Sequence, residues 1–131
     1  MMKTSLLAMA FAMAVSVPAL AQAPAAPPRC DGEVQVIRVS KLKPGASIAD
    51  FDKAVAMHMA WYRSHGYTTN VQRVGRVMTP QGFASDQVVT VHVNAPGVPR
   101  DKRDAGWEAF VAAYRSVSDV TSDTLACFPK P

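Results

Sequence analysis

The order of strand-like and helix-like patterns is the feature that most narrows what this chain can fold into. Residues 33–42 are rich in β-branched side chains and stop at a Pro44-Gly45 turn. Residues 48–65 repeat apolar side chains at a helical period, and 71–78 and 87–94 read as two further strands. A second helical stripe and a short last strand follow, at 107–117 and 124–128.

Local signals mark where the two helices begin and end. Ser47 is a predicted N-cap with Asp50 as its capping-box partner, and Asp104 is the predicted cap of the second helix. Gly66 is a predicted stop for the first helix. The chain therefore reads β-α-β-β-α-β, which predicts a ferredoxin-like α+β fold with a four-stranded antiparallel sheet and two helices on one face.

The two cysteines give an independent check on that topology. In the ferredoxin-like arrangement the last strand lies antiparallel beside the first, so the start of one meets the end of the other. Cys30 and Cys127 fall at those two positions. An even number of cysteines in an oxidising compartment favours a disulfide, and we predict a structural Cys30–Cys127 bond.

The N-terminal residues predict export. Lys3 precedes an apolar run of about a dozen residues, and Ala19-Leu20-Ala21 suits signal peptidase. A membrane anchor is the alternative, but the run is shorter than the roughly 20 residues that span a bilayer. We expect residues 1–21 to be a removed signal, 22–31 a flexible Pro/Ala-rich lead-in, and 32–131 one domain. The expected location is periplasmic or secreted, with no membrane contact after cleavage.

Charge gives little support to nucleic-acid binding. The chain carries 14 basic and 10 acidic side chains, a formal charge of +4. The densest basic cluster, Arg100, Lys102 and Arg103, is interleaved with Asp101 and Asp104. That pattern is typical of a solvated loop, and we expect no nucleic-acid partner.

The sheet has a second face that two helices cannot cover. In the third strand Val89, Val91 and Val93 form one face, while Thr90 and His92 lie with Val88 on a mixed one. A semi-polar second face suits a sheet that closes against another subunit around a cavity. The prediction is a homodimer, with the mixed face turned toward the partner and with Val36 and Val88 at the interface.

Three short motifs carry a family resemblance. Lys43-Pro44-Gly45 after the first strand, Asp50-Phe51 at the helix start and the late Gly106-Trp107-Glu108-Ala109-Phe110 resemble the dimeric α/β-barrel superfamily. Within it, the chain is similar to NIPSNAP-type and antibiotic-biosynthesis-monooxygenase-type domains. The resemblance spans most of the chain after residue 21.

The resemblance implies a dimer and a pocket between sheet and helices in each barrel. Activities in the superfamily include cofactor-free oxygenation, haem degradation, isomerisation and ligand binding, so the fold alone does not choose among them. Haem-degrading members use an Asn on the first strand and a His beyond the third. This chain has no Asn in residues 33–42 and no His after His92, which argues against haem degradation.

Histidines and arginines are the candidates for chemistry. His92 projects from the mixed face of its strand, and His58 lies on the inward stripe of the first helix. Either could act as a general base, because imidazole titrates near neutrality; packing within the core is the alternative for both. The pocket candidates are Arg38, Arg76, Thr90, His92, His58 and Tyr62. Arg73 and Arg76 point to opposite faces, and the sequence leaves open which of them faces the cavity. For the arginines the alternative is a position at the edge or rim, paired to an acidic side chain.

No metal or cofactor is expected. Met57-His58-Met59 contains metal-binding side chains, but helical neighbours point about 100° apart and cannot converge on one ion. The chain has no phosphate loop, dinucleotide fingerprint, nucleophile elbow or zinc-protease motif.

Three functions remain open from sequence. The first is binding of a small, partly apolar molecule in the barrel pocket. The second is cofactor-free monooxygenation or isomerisation, with His92 or His58 as the base and an arginine steadying an oxyanion. The third is a structural or stress-related dimer with no ligand.

Overall fold

The computed structural model describes residues 28–131, so the predictions for the signal and most of the lead-in lie outside the described part. The elements are β1 (Glu33–Leu42), α1 (Ile48–Ser64), β2 (Val71–Thr79), β3 (Gly82–Val93), a 3₁₀ turn (Arg100–Lys102), α2 (Ala105–Val117) and β4 (Ser118–Phe128). The predicted β-α-β-β-α-β order is confirmed.

Both helix starts follow the predicted chemistry. The amide of Asp50 donates to Ser47 Oγ at 3.2 Å, and the amide of Ser47 donates to Asp50 Oδ2 at 3.1 Å, which completes the capping box. Asp104 Oδ1 accepts from the Trp107 amide at 3.0 Å. At the end of α1, Gly66 adopts φ +82°, a conformation that glycine reaches without steric cost.

The four strands form one antiparallel sheet in the order β2-β3-β1-β4. Two strands are longer than predicted. β3 begins at Gly82, because residues 82–86 extend the hairpin with β2. β4 begins at Ser118 directly after α2, and its polar first half gave no strand pattern because it is an edge strand whose structure comes from pairing with β1.

The predicted disulfide is present. Cys30 and Cys127 are bonded, with their Cα atoms 5.7 Å apart and a sequence separation of 97. Cys127 pairs across the sheet with Val34, so the bond lies where β1 begins and β4 ends. Leu125 is 73% exposed nearby. The covalent link therefore stabilises a region of the sheet that has little packing of its own.

The apolar core lies between the sheet and the helices in two clusters. One contains Leu42, Phe51, Val55 and Val88. The other is mostly aromatic, with Trp61, Tyr62, Val98 and Phe110. The helices therefore cover the sheet face that carries Val88 and, two and four residues on, Thr90 and His92.

This placement corrects one expectation. The mixed face does not turn toward a partner subunit: it lies under the chain's own helices. Val88 has no exposed surface and belongs to the core, and Val36 lines the space beneath the helices. The uncovered face is instead the apolar one. Its centre consists of Ile37, Val39, Val89, Val91 and Val93, and the residues around this centre include Val71, Arg73, Gln35, Lys41, Gln87, Ser122 and Thr124.

Candidate functional site

A cavity of about 660 Å³ lies between the covered sheet face and the two helices. Strand register explains its polar floor. Gln72, His92 and Val36 form one row across β2, β3 and β1, and Thr90 and Arg38 form part of the next. Paired residues project to the same side of a sheet, so five neighbouring side chains face one space. The helices and the β3–α2 loop close it with Phe51, His58, Tyr62, Ala95, Pro96, Arg103, Trp107, Phe110, Val111, Tyr114 and Arg115.

His92 is held by a buried amide. Its Nε2 lies 2.7 Å from Asn70 Oδ1, and both residues are buried. Asn70 lies in the turn before β2 and donates from Nδ2 to the Tyr67 carbonyl at 3.0 Å. Burial, and secondly the positive charge of Arg38, lower the pKa of His92 to about 4. The imidazole is therefore neutral at physiological pH.

His58 reaches the same space from α1. Its Nδ1 lies 3.2 Å from the Tyr114 hydroxyl, and its ring stacks on Phe110 with centroids 4.4 Å apart. The His58 and His92 rings meet edge to face at 5.2 Å. Burial is the main reason that the pKa of His58 is lowered to about 4, with His92 a secondary cause. Two neutral imidazoles thus lie side by side.

Tyrosines and a glutamine complete the inner wall. Gln72 Nε2 donates to the Tyr114 hydroxyl at 3.2 Å. Burial raises the pKa of Tyr114 and of Tyr62, so both phenols remain protonated. Among side-chain nitrogen and oxygen atoms of residues 28–131, Gln72 Oε1 alone is fully enclosed without a hydrogen-bond partner. A buried acceptor in this state is stabilised when a donor reaches it.

The rim of the cavity is basic. Arg38 donates from Nε to Asp123 Oδ2 at 3.0 Å, which leaves its terminal nitrogens for other acceptors. Arg103 lies 4.8 Å over the Trp107 ring and donates to the Val98 carbonyl. Arg115 also lines the cavity. Three guanidinium groups and the carboxylate of Asp119 therefore line the cavity, and Asp123 is paired with Arg38.

Five of the six predicted pocket residues meet at this cavity: Arg38, His58, Tyr62, Thr90 and His92. Arg76 does not. Its Nη2 donates to the Ala84 carbonyl at 3.2 Å, and its guanidinium lies 5.5 Å over the Phe83 ring, out on the β2–β3 hairpin. Arg73 pairs with Val91 and so lies on the uncovered face. Neither arginine of β2 lines the cavity: Arg73 lies on the opposite face, and Arg76, which pairs with Val88, lies toward the hairpin, beyond the rows of Gln72 and Val74.

Sequence reasoning missed several residues of the site. Asn70 and Gln72 stand at the loop end and start of β2, where polar side chains are ordinary. Arg103 belongs to a cluster that reads as a solvated loop. Tyr114 belongs to the second helical stripe at 107–117, a pattern typical of core packing, although its hydroxyl faces the polar floor. Only Gln72 could have been found from sequence. It is a polar residue near the start of β2, and the period of two places it on the same face as Val74.

Residues 28–131 contain no group of three His, Cys, Asp or Glu side chains able to hold a metal ion. Over the same residues, no helix combines the length and apolar character required to cross a bilayer.

The fold and the site together define this protein as a ferredoxin-like α+β domain with a cavity between its sheet and its helices. The solved structure of SnoaB, a cofactor-independent oxygenase from Streptomyces nogalater, is similar to this domain. The TM-score is 0.50 at 15% sequence identity, and the match covers 76% of this chain and 96% of SnoaB. This similarity confirms the fold. Neither a protein-family model nor a curated protein matches the chain.

Proposed function

We propose that the cavity binds a small, partly apolar molecule with an acidic or anionic oxygen, and that the protein acts as an exported homodimer. A volume of about 660 Å³ falls within the range of roughly 300–1,000 Å³ that is typical of small-molecule sites. Aromatic walls would hold the apolar part of the ligand. Empty space of this size argues against a purely structural protein with a filled interior.

The convergence of Arg38 with His92 on the polar floor of one cavity carries this proposal. Arg38 lies opposite Thr90, two residues from His92 along β3. Its guanidinium can donate two parallel hydrogen bonds to a carboxylate or enolate. A strand interior is an unusual place for arginine unless the charge has a partner, and the Asp123 contact uses only Nε.

A fluorescent aromatic anion, anilinonaphthalene sulfonate, tests the binding site. Arg38→Gln should weaken binding of the probe about tenfold, equivalent to about 1.4 kcal/mol. Arg73→Gln is the matched control, because it removes the same charge from the opposite face of the sheet. Equal affinities for the two variants would contradict a site at Arg38, and weakening by Arg73→Gln alone would place the probe on the uncovered face.

A second candidate is cofactor-free proton abstraction, for which the two neutral imidazoles supply unprotonated nitrogens. His92 would accept a proton from a carbon acid, and the electron pair left on the substrate would be held as an enolate by Arg38. Reprotonation at another carbon gives an isomer, whereas reaction of the enolate with O₂ gives oxygenation. The similar structure of SnoaB supports the capacity of this fold to house a cofactor-independent oxygenase.

Enolisation of a 1,3-diketone, followed by deuterium uptake from solvent, tests this second candidate. His92→Ala should reduce the catalysed rate by about a hundredfold or more. His65→Ala is the control, since His65 stacks on Trp61 outside the cavity and pairs with Asp104 at 2.9 Å. An unchanged rate in His92→Ala would exclude this residue as the base.

The homodimer would form through the uncovered face. Antiparallel sheets that face water carry mainly polar side chains on the solvated side, whereas this face carries Ile37, Val39, Val89, Val91 and Val93. A second copy offers the same apolar strip, so the surface is complementary to itself in a two-fold dimer. The disulfide and the signal-like residues 1–21 support export.

A further inference from the structure

We infer that Asn70 is a positioning residue that holds His92 as the Nε2–H tautomer, so that Nδ1 faces the cavity as a hydrogen-bond acceptor. The assignment of the tautomer stands on the structure alone. Its consequence for the ligand rests on the proposed binding function.

The orientation of the Asn70 amide is fixed by its second contact. Nδ2 donates to the Tyr67 carbonyl at 3.0 Å, and the reverse orientation would set two oxygens against each other. Oδ1 therefore faces His92 Nε2 at 2.7 Å. Because an amide oxygen can only accept, Nε2 must carry the hydrogen. Asn70 is 5% exposed and His92 3%, so water competes little for this contact.

The other ring nitrogen is left open to the cavity. His92 makes one hydrogen bond to residues 28–131, through Nε2. Nδ1 is not among the fully enclosed atoms without a partner, since in this part of the chain that set contains only Gln72 Oε1. It therefore keeps accessible surface, and the space that His92 borders is the cavity.

The surroundings keep the ring neutral, so that this nitrogen retains its lone pair. The titratable or charged groups around His92 are His58 and Tyr62 from α1 and Arg38 from β1. The arginine repels a second positive charge, and the enclosed space disfavours any charge. None of these groups is an anion that would stabilise an imidazolium.

One acceptor, Nδ1 of His92, therefore faces the inner end of the cavity, and Arg38 also lines this cavity. Gln72 pairs with His92 in the same row of the sheet, but its Oε1 is fully enclosed and is not open to a ligand. A ligand that satisfies Nδ1 must present an O–H or N–H donor inward and an acceptor toward Arg38. We therefore assign the ligand class as a molecule that donates hydrogen bonds at its buried end.

Histidine nitrogen NMR tests the tautomer on the protein without any ligand. Uniformly ¹⁵N-labelled protein should show His92 as a single tautomer, with a protonated Nε2 and an unprotonated Nδ1, throughout pH 5.5–8. Asn70→Ala should give a mixture of tautomers. A wild-type Nδ1–H signal, or an unchanged single tautomer in Asn70→Ala, would overturn the assignment.

Asn70→Asp covers the case in which the alanine variant fails to fold. Aspartate preserves the shape and still accepts from Nε2–H, but its negative charge stabilises the imidazolium. His92 should then gain a proton at a higher pH than in the wild type, seen as both nitrogens becoming protonated. An unchanged titration would show that the side chain of residue 70 does not contact His92 Nε2, and that result would refute positioning.

A donor and its methylated analogue test the ligand class. A naphthol should bind about tenfold more tightly than its methyl ether, a difference of about 1.4 kcal/mol, and Asn70→Ala should reduce this preference. Equal binding of the two probes would overturn the assigned class. If neither binds and anilinonaphthalene sulfonate also fails to bind, the proposed function is wrong, whereas the tautomer assignment stands or falls on the NMR result.

Discussion

The two faces of the sheet differ in a way that reverses the usual relation between polarity and exposure. The face beneath the helices carries Arg38, Ser40, Thr90, His92 and Gln72. The face without helices carries valine and isoleucine at its centre and mainly polar side chains around them. In most antiparallel sheets the apolar residues are inside and the polar ones outside. The inverted pattern here leaves a cavity with a polar floor on the inside, and it is the reason for proposing an interface on the outside.

The two faces of the sheet also contribute differently to folding and to function. Under the helices, apolar residues at one end, such as Val88 and Phe51, provide the core, and polar residues further along line the cavity. On the other face no helix of residues 28–131 packs over the valines. Stability of the single chain should therefore depend on the covered face, and assembly on the uncovered one.

The largest expected effect tests that division with two adjacent valines. Val88→Asp places a charge where no surface is exposed, and should cost about 4 kcal/mol or more, enough to unfold the domain. Val89→Asp places the same charge on the uncovered face, and should leave a folded monomer. Denaturant unfolding and light scattering distinguish them. A well-folded Val88→Asp variant, or a wild-type protein that is monomeric at micromolar concentration, would break the comparison.

The disulfide should rank next. Replacing Cys30 and Cys127 with serine removes the link across a 97-residue separation, which is worth about 4–5 kcal/mol in the chain-entropy model. The melting temperature should fall by many degrees while the fold persists at 25 °C. Val89→Asp should still affect only assembly in the serine variant. Free thiols in the native exported protein would contradict a structural bond.

Acid should destabilise the covered face through its histidines. The pKa values of His58 and His92 are lowered to about 4 in the folded state, against an ordinary value of 6.5. The unfolded chain therefore binds more protons between these values, so stability is complete above about pH 6.5 and is lost as the pH falls toward 4. The loss is on the order of 3 kcal/mol for one histidine.

Urea unfolding at a series of pH values measures the slope of the free energy of unfolding against pH. His58→Gln and His92→Gln should each flatten it, since glutamine does not titrate. His65→Gln is the control from outside the cavity. A slope confined to pH below 4 would instead point to carboxylates, because hydrogen bonds from Ser47 and from Trp61 lower the pKa values of Asp50 and Asp104 to about 2.

The smallest effect separates binding from packing at His92. His92→Ala should weaken binding of the naphthol probe about tenfold, or about 1.4 kcal/mol. Loss of the Asn70 hydrogen bond should also reduce stability by about 1–3 kcal/mol. Thermal melts beside binding curves separate the two contributions. Unchanged binding with a large drop in melting temperature would assign His92 to the core alone.

Much of the fold could be predicted from sequence, because its signals are local. Ser47 with Asp50, Asp104 and Gly66 each act within a few residues, and all three signals mark helix ends in the structure. The disulfide followed from topology. The first half of β4 was not predictable in this way, since residues 118–123 become a strand only by pairing with β1.

The sequence also showed which residues of β3 share a face of the sheet, but it did not show which face the helices cover. The period of two along β3 determined that Thr90 and His92 share a face with Val88, and a strand cannot alter that grouping. Which face receives the helices depends on the handedness of the β1-α1-β2 crossover and on the strand order, and both involve residues far apart in the chain. The cavity, the Asn70–His92 contact and the exclusion of Arg76 were therefore decided only by the tertiary structure.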